Sequence, residues 1–142
     1  SAIFEYSKRL SKYCNLSIFE IEDEKIPSKI NSAIIQGIKQ KEANKIISSL
    51  KKDSYIISLD LTGKELSSED FSKKIDSISL NFNSSITFII GGTLGLSNDI
   101  LLSSNEKISF SKMTFPHQLI RLFLLEQLFR AFKILKGETY HW

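Results

Sequence analysis

Two histidines stand near the C-terminal end of this 142-residue chain, and the neighbours of each suit a different polar task. His117 follows Pro116 at the head of a helix, beside a loop that leaves a strand. The positive end of a helix disfavours an imidazolium, so His117 is expected neutral and able to accept or donate a hydrogen bond. His141 sits between Tyr140 and Trp142, a few residues past Lys133 and Lys136. Aromatic rings, an imidazole and cations together suit stacking on an unpaired base with neutralisation of phosphate; a frayed terminus accounts for the same residues. A third feature is Gly91-Gly92 directly after an apolar strand. Without a Cβ, the backbone there admits a ligand closely, although a plain strand-to-helix turn uses the same pair. Gly91-Gly92-Thr93-Leu94-Gly95 lacks the G-x-G-x-x-G spacing, and no Walker lysine follows it, which disfavours a dinucleotide site and a P-loop. No nucleophile, base and orienting group fall together. Cys14, far from both histidines, reads as a small buried thiol.

Placing these groups requires the elements around them. Ile3, Tyr6, Leu10 and Tyr13 have helical spacing, in a helix already under way at residue 1. Residues 16–21 read as an Ile- and Phe-rich strand running into Glu22-Asp23-Glu24, and a polar loop with Pro27 follows. A helix is expected from about residue 31 to 52, with its lysines on a solvated face. Residues 54–61 form an apolar strand ended by Thr62-Gly63. Ser67 and Asp70 resemble a capping box ahead of Phe71, Ile75, Ile78 and Phe82 at helical spacing. Residues 85–90 form a third strand, Ser97 caps a short helix, and residues 107–110 form a fourth strand. The last helix runs from Pro116 to about Leu135. The alternation of helix and strand predicts an α/β fold with a mostly parallel sheet covered on both faces. Ligands then belong outside the carboxyl ends of the strands, where Gly91 and the loop before His117 lie.

Composition narrows the class. At 42% hydrophobic residues the chain can build a core, and its length suits one domain, 1–142. One Cys excludes a disulfide framework or an all-Cys metal site, and two late histidines argue against a His-based one, so no metal is expected. Arg121, Glu126 and Arg130 interrupt the most apolar stretch, and no secretory leader opens the chain, so no membrane partner and a cytoplasmic location are expected. A net charge of +3 permits a nucleic-acid partner without requiring one. The last helix is apolar nearly all round, which predicts a homodimer through helix 117–135, with partners for its charged residues across the interface.

One ordered set of residues carries a resemblance. It comprises Phe88-Ile89-Ile90-Gly91-Gly92, Leu94-Gly95-Leu96, the run Ile-Ser-Phe-Ser-Lys-Met-Thr-Phe-Pro-His from Ile108 to His117, then Arg121, Glu126-Gln127, Arg130-Ala131 and Tyr140-His141. In this order they resemble the ribosomal RNA large subunit methyltransferase H family, small SPOUT-class enzymes that methylate N3 of a pseudouridine in 23S rRNA. The resemblance spans nearly the whole chain. Its specific part is the Ser-Lys-Met-Thr-Phe-Pro-His block with the Tyr-His ending. It implies a SPOUT-type α/β fold with a C-terminal trefoil knot, S-adenosyl-L-methionine as methyl donor, a homodimer, and 23S rRNA in the ribosome as partner. By matching position, Leu59, Gly91, Phe110, Ser111, Lys112, Met113, Thr114 and Phe115 line the cofactor pocket. His117, Arg121, Tyr140 and His141 handle the substrate, and the tail is expected to reach toward the partner subunit's cofactor. The family opens with a strand and a Gly-Lys loop before its first helix. Their absence here predicts a missing first strand and loop of about 15 residues. Trp142 stands where the family carries a basic residue. Two other readings stay open: a non-catalytic nucleotide-binding α/β module, and a SPOUT enzyme with another RNA target.

Overall fold

The computed structural model describes residues 1–137. Helix α1 spans Ala2–Leu10, and Ser1 Oγ accepts from Phe4 N at 3.3 Å in its first turn. Helix α2 (Ser32–Ser49) starts on Asn31, whose Oδ1 accepts from Ile34 N at 2.9 Å. Strand β1 (Tyr55–Glu65) leads to helix α3 (Ser68–Asn81), and Ser67 Oγ accepts from Asp70 N at 3.0 Å as its Ser-x-x-Asp pattern predicts. Strand β2 (Ile86–Ile90), helix α4 (Asn98–Ser103), strand β3 (Glu106–Ser109) and helix α5 (His117–Leu135) follow in order.

The sheet has three parallel strands in the order β2-β1-β3. Side chains alternate across it with the two-residue period of a strand. Ile57, with Leu59 and Phe88, packs against α1, α3 and α5 through Leu10, Phe71, Ile75, Leu124 and Leu128. Ile56 and Ile89 turn the other way, toward Ala43, Leu96 and Ile100 of the α2–α4 side. Helices therefore cover both faces. A fully buried aliphatic side chain such as Ile57, Ile100 or Ile108 contributes about 1.5–3 kcal/mol to the fold. Tyr6 and Tyr13 meet Phe129 edge-on at 6.1 and 6.0 Å, and Tyr13 stacks on Phe132 at 5.7 Å, so α1 covers part of the apolar circumference of α5.

Residues 16–21 do not form the expected strand. An isolated extended segment leaves its backbone groups unpaired unless another strand lies beside it. Here a cavity of about 970 Å³ is walled on one side by residues 15–23 and on the other by β2, with α2 and α5 closing it. Ile18 and Phe19 stay exposed. The nearest free sheet edge belongs to β2. Tyr55 N donates to Ser85 O at 2.9 Å, and Tyr55 is in register with Ile86. In a parallel ladder that register turns the backbone groups of Ile86, Phe88 and Ile90 away from β1.

Strand β1 also runs further than expected. Leu59 and Lys64 both pair with Ile108, so residues 60–63 loop out and the strand folds back over β3. A Cβ on Gly63 would lie 2.6 Å from both N and C of Ile108, so this crossing admits only glycine. At the amino end of the sheet the polar groups close on one another. Tyr55 OH donates to Glu106 Oε2 at 2.8 Å and Lys74 Nζ to Glu106 Oε1 at 2.6 Å. Asn105 Oδ1 accepts from Ile56 N at 2.8 Å. Burial first, then the hydrogen bond to Glu106 and its negative charge, push the Tyr55 hydroxyl up to about 12.

Candidate active site at the carboxyl ends of the strands

Leu59 of β1 pairs with Ile90 of β2 on one side and Ile108 of β3 on the other. Leu59, Ile90 and Ile108 thus stand in one row, and three segments continue from it together: the bulged residues 60–63 within β1, the Gly91-Gly92 turn, and residues 110–116. Parallel topology gathers them, since every strand points its carboxyl end the same way.

The Gly91-Gly92 turn is tight. Gly95 N donates to Gly92 O at 3.0 Å, and Leu96 folds back beneath it. A Cβ on Gly91 would lie 2.9 Å from Gly95 C and 3.0 Å from Leu96 Cγ, so the chain's own turn uses the space that a side chain would take. The loop after β3 is held at Ser111. Its carbonyl accepts from Ser109 Oγ at 2.7 Å, and its Oγ accepts from Met113 N at 3.0 Å. This double hold turns Met113 outward, 70% exposed, and leaves Lys112 and Thr114 in solvent. Phe115 meets Phe123 of α5 edge-on at 5.5 Å.

Helix α5 begins at Pro116 with no side-chain cap. Its first turn holds His117 and Arg121 one above the other, four residues apart on one face. Both line the cavity together with Gly91 and Gly92. Carboxylates from residues 20–24 gather at this positive helix end. Glu20 Oε1 accepts from Arg121 Nη1, and Asp23 Oδ2 lies 4.0 Å from His117 Nε2. The Asp23 and Glu42 carboxylates also lie over Gly92. These three acidic residues were not among the sequence-derived site residues. The cluster Glu22-Asp23-Glu24 was visible, but nothing in it indicated the helix it meets.

The structure brings Gly91, His117 and Arg121 to one cavity. Leu59 and residues 110–115 do not line it; they sit at the adjoining strand ends. Tyr140 and His141 lie outside the described residues. The expected charge partners across an interface are found within the chain. Arg130 Nη2 donates to Glu126 Oε1 at 2.6 Å along α5, and Arg121 takes Glu20. Among the described residues no cluster of His, Cys, Asp and Glu is arranged for a metal ion, and no helix is long and apolar enough to cross a membrane.

A parallel α/β sheet with chemistry-bearing residues gathered at its strand ends defines a class, and comparison with known proteins names it: residues 1–141 match the family described as predicted SPOUT methyltransferase, and the chain belongs to that family. The relatives are more particular. The chain is 56% identical over 140 residues to the ribosomal RNA large subunit methyltransferase H of Clostridium acetobutylicum, covering 99% of this chain and 88% of the relative. It is 55% identical over 141 residues to the protein of that name from Clostridium botulinum strain Kyoto, covering 99% and 89%.

Proposed function

We propose that the chain transfers a methyl group from S-adenosylmethionine to N3 of a pseudouridine in 23S rRNA, acting as a homodimer on the ribosome in the cytoplasm. The observation that carries this reading is the meeting of Gly91, His117 and Arg121 at one cavity beside the row Leu59, Ile90, Ile108. The names of the relatives supply the RNA class.

The strand-end residues fit the cofactor. Leu59, Phe110, Met113 and Phe115 offer apolar surface, and the backbone of Gly91 and of residues 111–114 offers donors and acceptors for a purine edge. These residues, with Ser111, Lys112 and Thr114, would hold S-adenosylmethionine. When bound, it supplies a methyl group already activated on a sulfonium. The protein's remaining tasks are orientation and the removal of one weakly acidic N–H proton, which need no triad. Arg121 holds an anionic or carbonyl oxygen of the RNA, and His117 hydrogen-bonds the base. Tyr140 and His141 are assigned to the same substrate, from the tail, reaching toward the partner subunit's cofactor.

The dimer is supported by an apolar strip on the head of α5. Leu119 is 41% exposed and Phe123 36%, with Phe115 beside them. The trefoil knot rests on membership of the family alone.

The test is methylation of ribosomes that lack the modification, using labelled S-adenosylmethionine and mass mapping of the 23S rRNA. One labelled pseudouridine is expected. Unlabelled 23S rRNA would overturn the substrate, and no calorimetric binding of S-adenosylhomocysteine at millimolar concentration would overturn the methyltransferase. A monomeric mass by light scattering would overturn the dimer.

A further inference from the structure

We infer that Glu20 is a positioning residue for Arg121, gripping one guanidinium nitrogen so that the opposite edge is presented to the RNA. The inference rests on the reading of Arg121 as a substrate-binding group. Glu20 Oε1 and Gln118 Oε1 both accept from the same nitrogen, Nη1, the latter at 3.4 Å. Among the described residues Nε and Nη2 have no protein acceptor. That free edge is the one with two parallel N–H groups, and it can bind two oxygens at once. The Arg121 side chain is 20% exposed and lines the cavity, so the residue is largely held by the protein while standing where a ligand would enter.

Glu20 itself is 68% exposed and is not fixed by burial. It is fixed by the segment that carries it. Just downstream, Glu24 N donates to Glu42 Oε2 at 3.2 Å, and Lys45 Nζ reaches Glu22 O at 3.4 Å and Glu24 Oε1 at 3.4 Å. Helix α2 thereby anchors residues 22–24, and Glu20 meets Arg121 across 101 residues of chain. A guanidinium already held in one rotamer loses less freedom when substrate arrives. An exposed ion pair of this kind adds little to stability, so its loss should leave the thermal midpoint nearly unchanged.

The experiment measures steady-state methylation of ribosomes by the full chain and by Glu20→Gln, Arg121→Lys and the double variant, with thermal midpoints and S-adenosylhomocysteine affinity alongside. Glu20→Gln is expected to lower kcat/KM for ribosomes by about 3- to 10-fold, with midpoint and cofactor affinity unchanged. In the Arg121→Lys background the same substitution is expected to have no further effect. A Glu20→Gln variant that binds ribosomes more tightly would make Glu20 a competitor of the substrate and overturn the inference. So would a loss that persists undiminished in the Arg121→Lys background. Full activity of Arg121→Lys and of Arg121→Ala would instead remove Arg121 from the substrate site, a failure of the underlying reading that is distinct from both.

Discussion

At the amino end of the sheet, Glu106 takes both Tyr55 and Lys74, Asn105 satisfies Ile56, and Ser54 Oγ meets Thr87 Oγ1 at 2.5 Å. At the carboxyl end, Arg121 has one edge free, His117 faces a carboxylate 4.0 Å away, and Met113 and Phe115 face solvent. The same three strands support both ends. Where polar groups find partners in their own chain, they specify the fold. Where partners are withheld, the group is available to something else, and the rest of the molecule must carry the cost.

The contrast can be tested, beginning at the crossing that holds the two ends in register. Gly63→Val should have the largest effect. Its Cβ would lie within 2.6 Å of the Ile108 backbone, and backbone cannot yield as a flexible side chain does. A loss of about 3 kcal/mol or more is expected, read as a collapsed urea midpoint or insoluble protein. Arg121→Ala should come next, lowering ribosome methylation about 10- to 100-fold while leaving the thermal midpoint nearly unchanged. If it instead unfolds the protein, the carboxyl end is structural and the contrast fails. Glu106→Gln should do the reverse. It keeps shape but removes the charge facing Lys74, so a destabilisation of about 1–2 kcal/mol with normal kcat/KM is expected by denaturant titration and activity assay. The smallest effect concerns pH. Tyr55 ionises near 10 in the unfolded chain and at about 12 in the fold. The fold favours the protonated phenol, so this contribution is complete below pH 10 and is lost as pH rises through about 12. An ultraviolet titration should find Tyr55 ionising late, and Glu106→Gln should lower its ionisation only part of the way, since burial is the larger cause.

Much of this division could be read from the chain beforehand, and the reason differs from element to element. Ser67 followed by Asp70, Phe71, Ile75 and Ile78 is a local pattern, and α3 forms where it predicts because a cap and a face require only near neighbours. The end of β2 at Ile90 and the Gly91-Gly92 turn were readable for the same reason. Residues 16–21 have strand composition, but a strand is a property of a pair, and composition does not supply the neighbour. Gly63 looked like a terminator. Only the fold-back of β1 over Ile108 explains why no other residue fits. Within the site, His117 announced itself by its place at the head of a helix, and Arg121 by its match to the family's pattern. Glu20 could not, because its partner stands 101 residues away and nothing in either neighbourhood points to the other.

The open edge of β2 has a consequence for how its amides exchange with solvent. Ser85, Thr87 and Ile89 turn their backbone toward β1, whereas Ile86, Phe88 and Ile90 turn theirs away from it. Neighbours in one short strand should therefore differ in hydrogen-exchange protection. Thr87 and Ile89 should open only with the sheet, while Phe88 and Ile90 should exchange by local fluctuation. The strand most deeply involved in the candidate site would then show, residue by residue, a slow and fast alternation with the period of the strand itself.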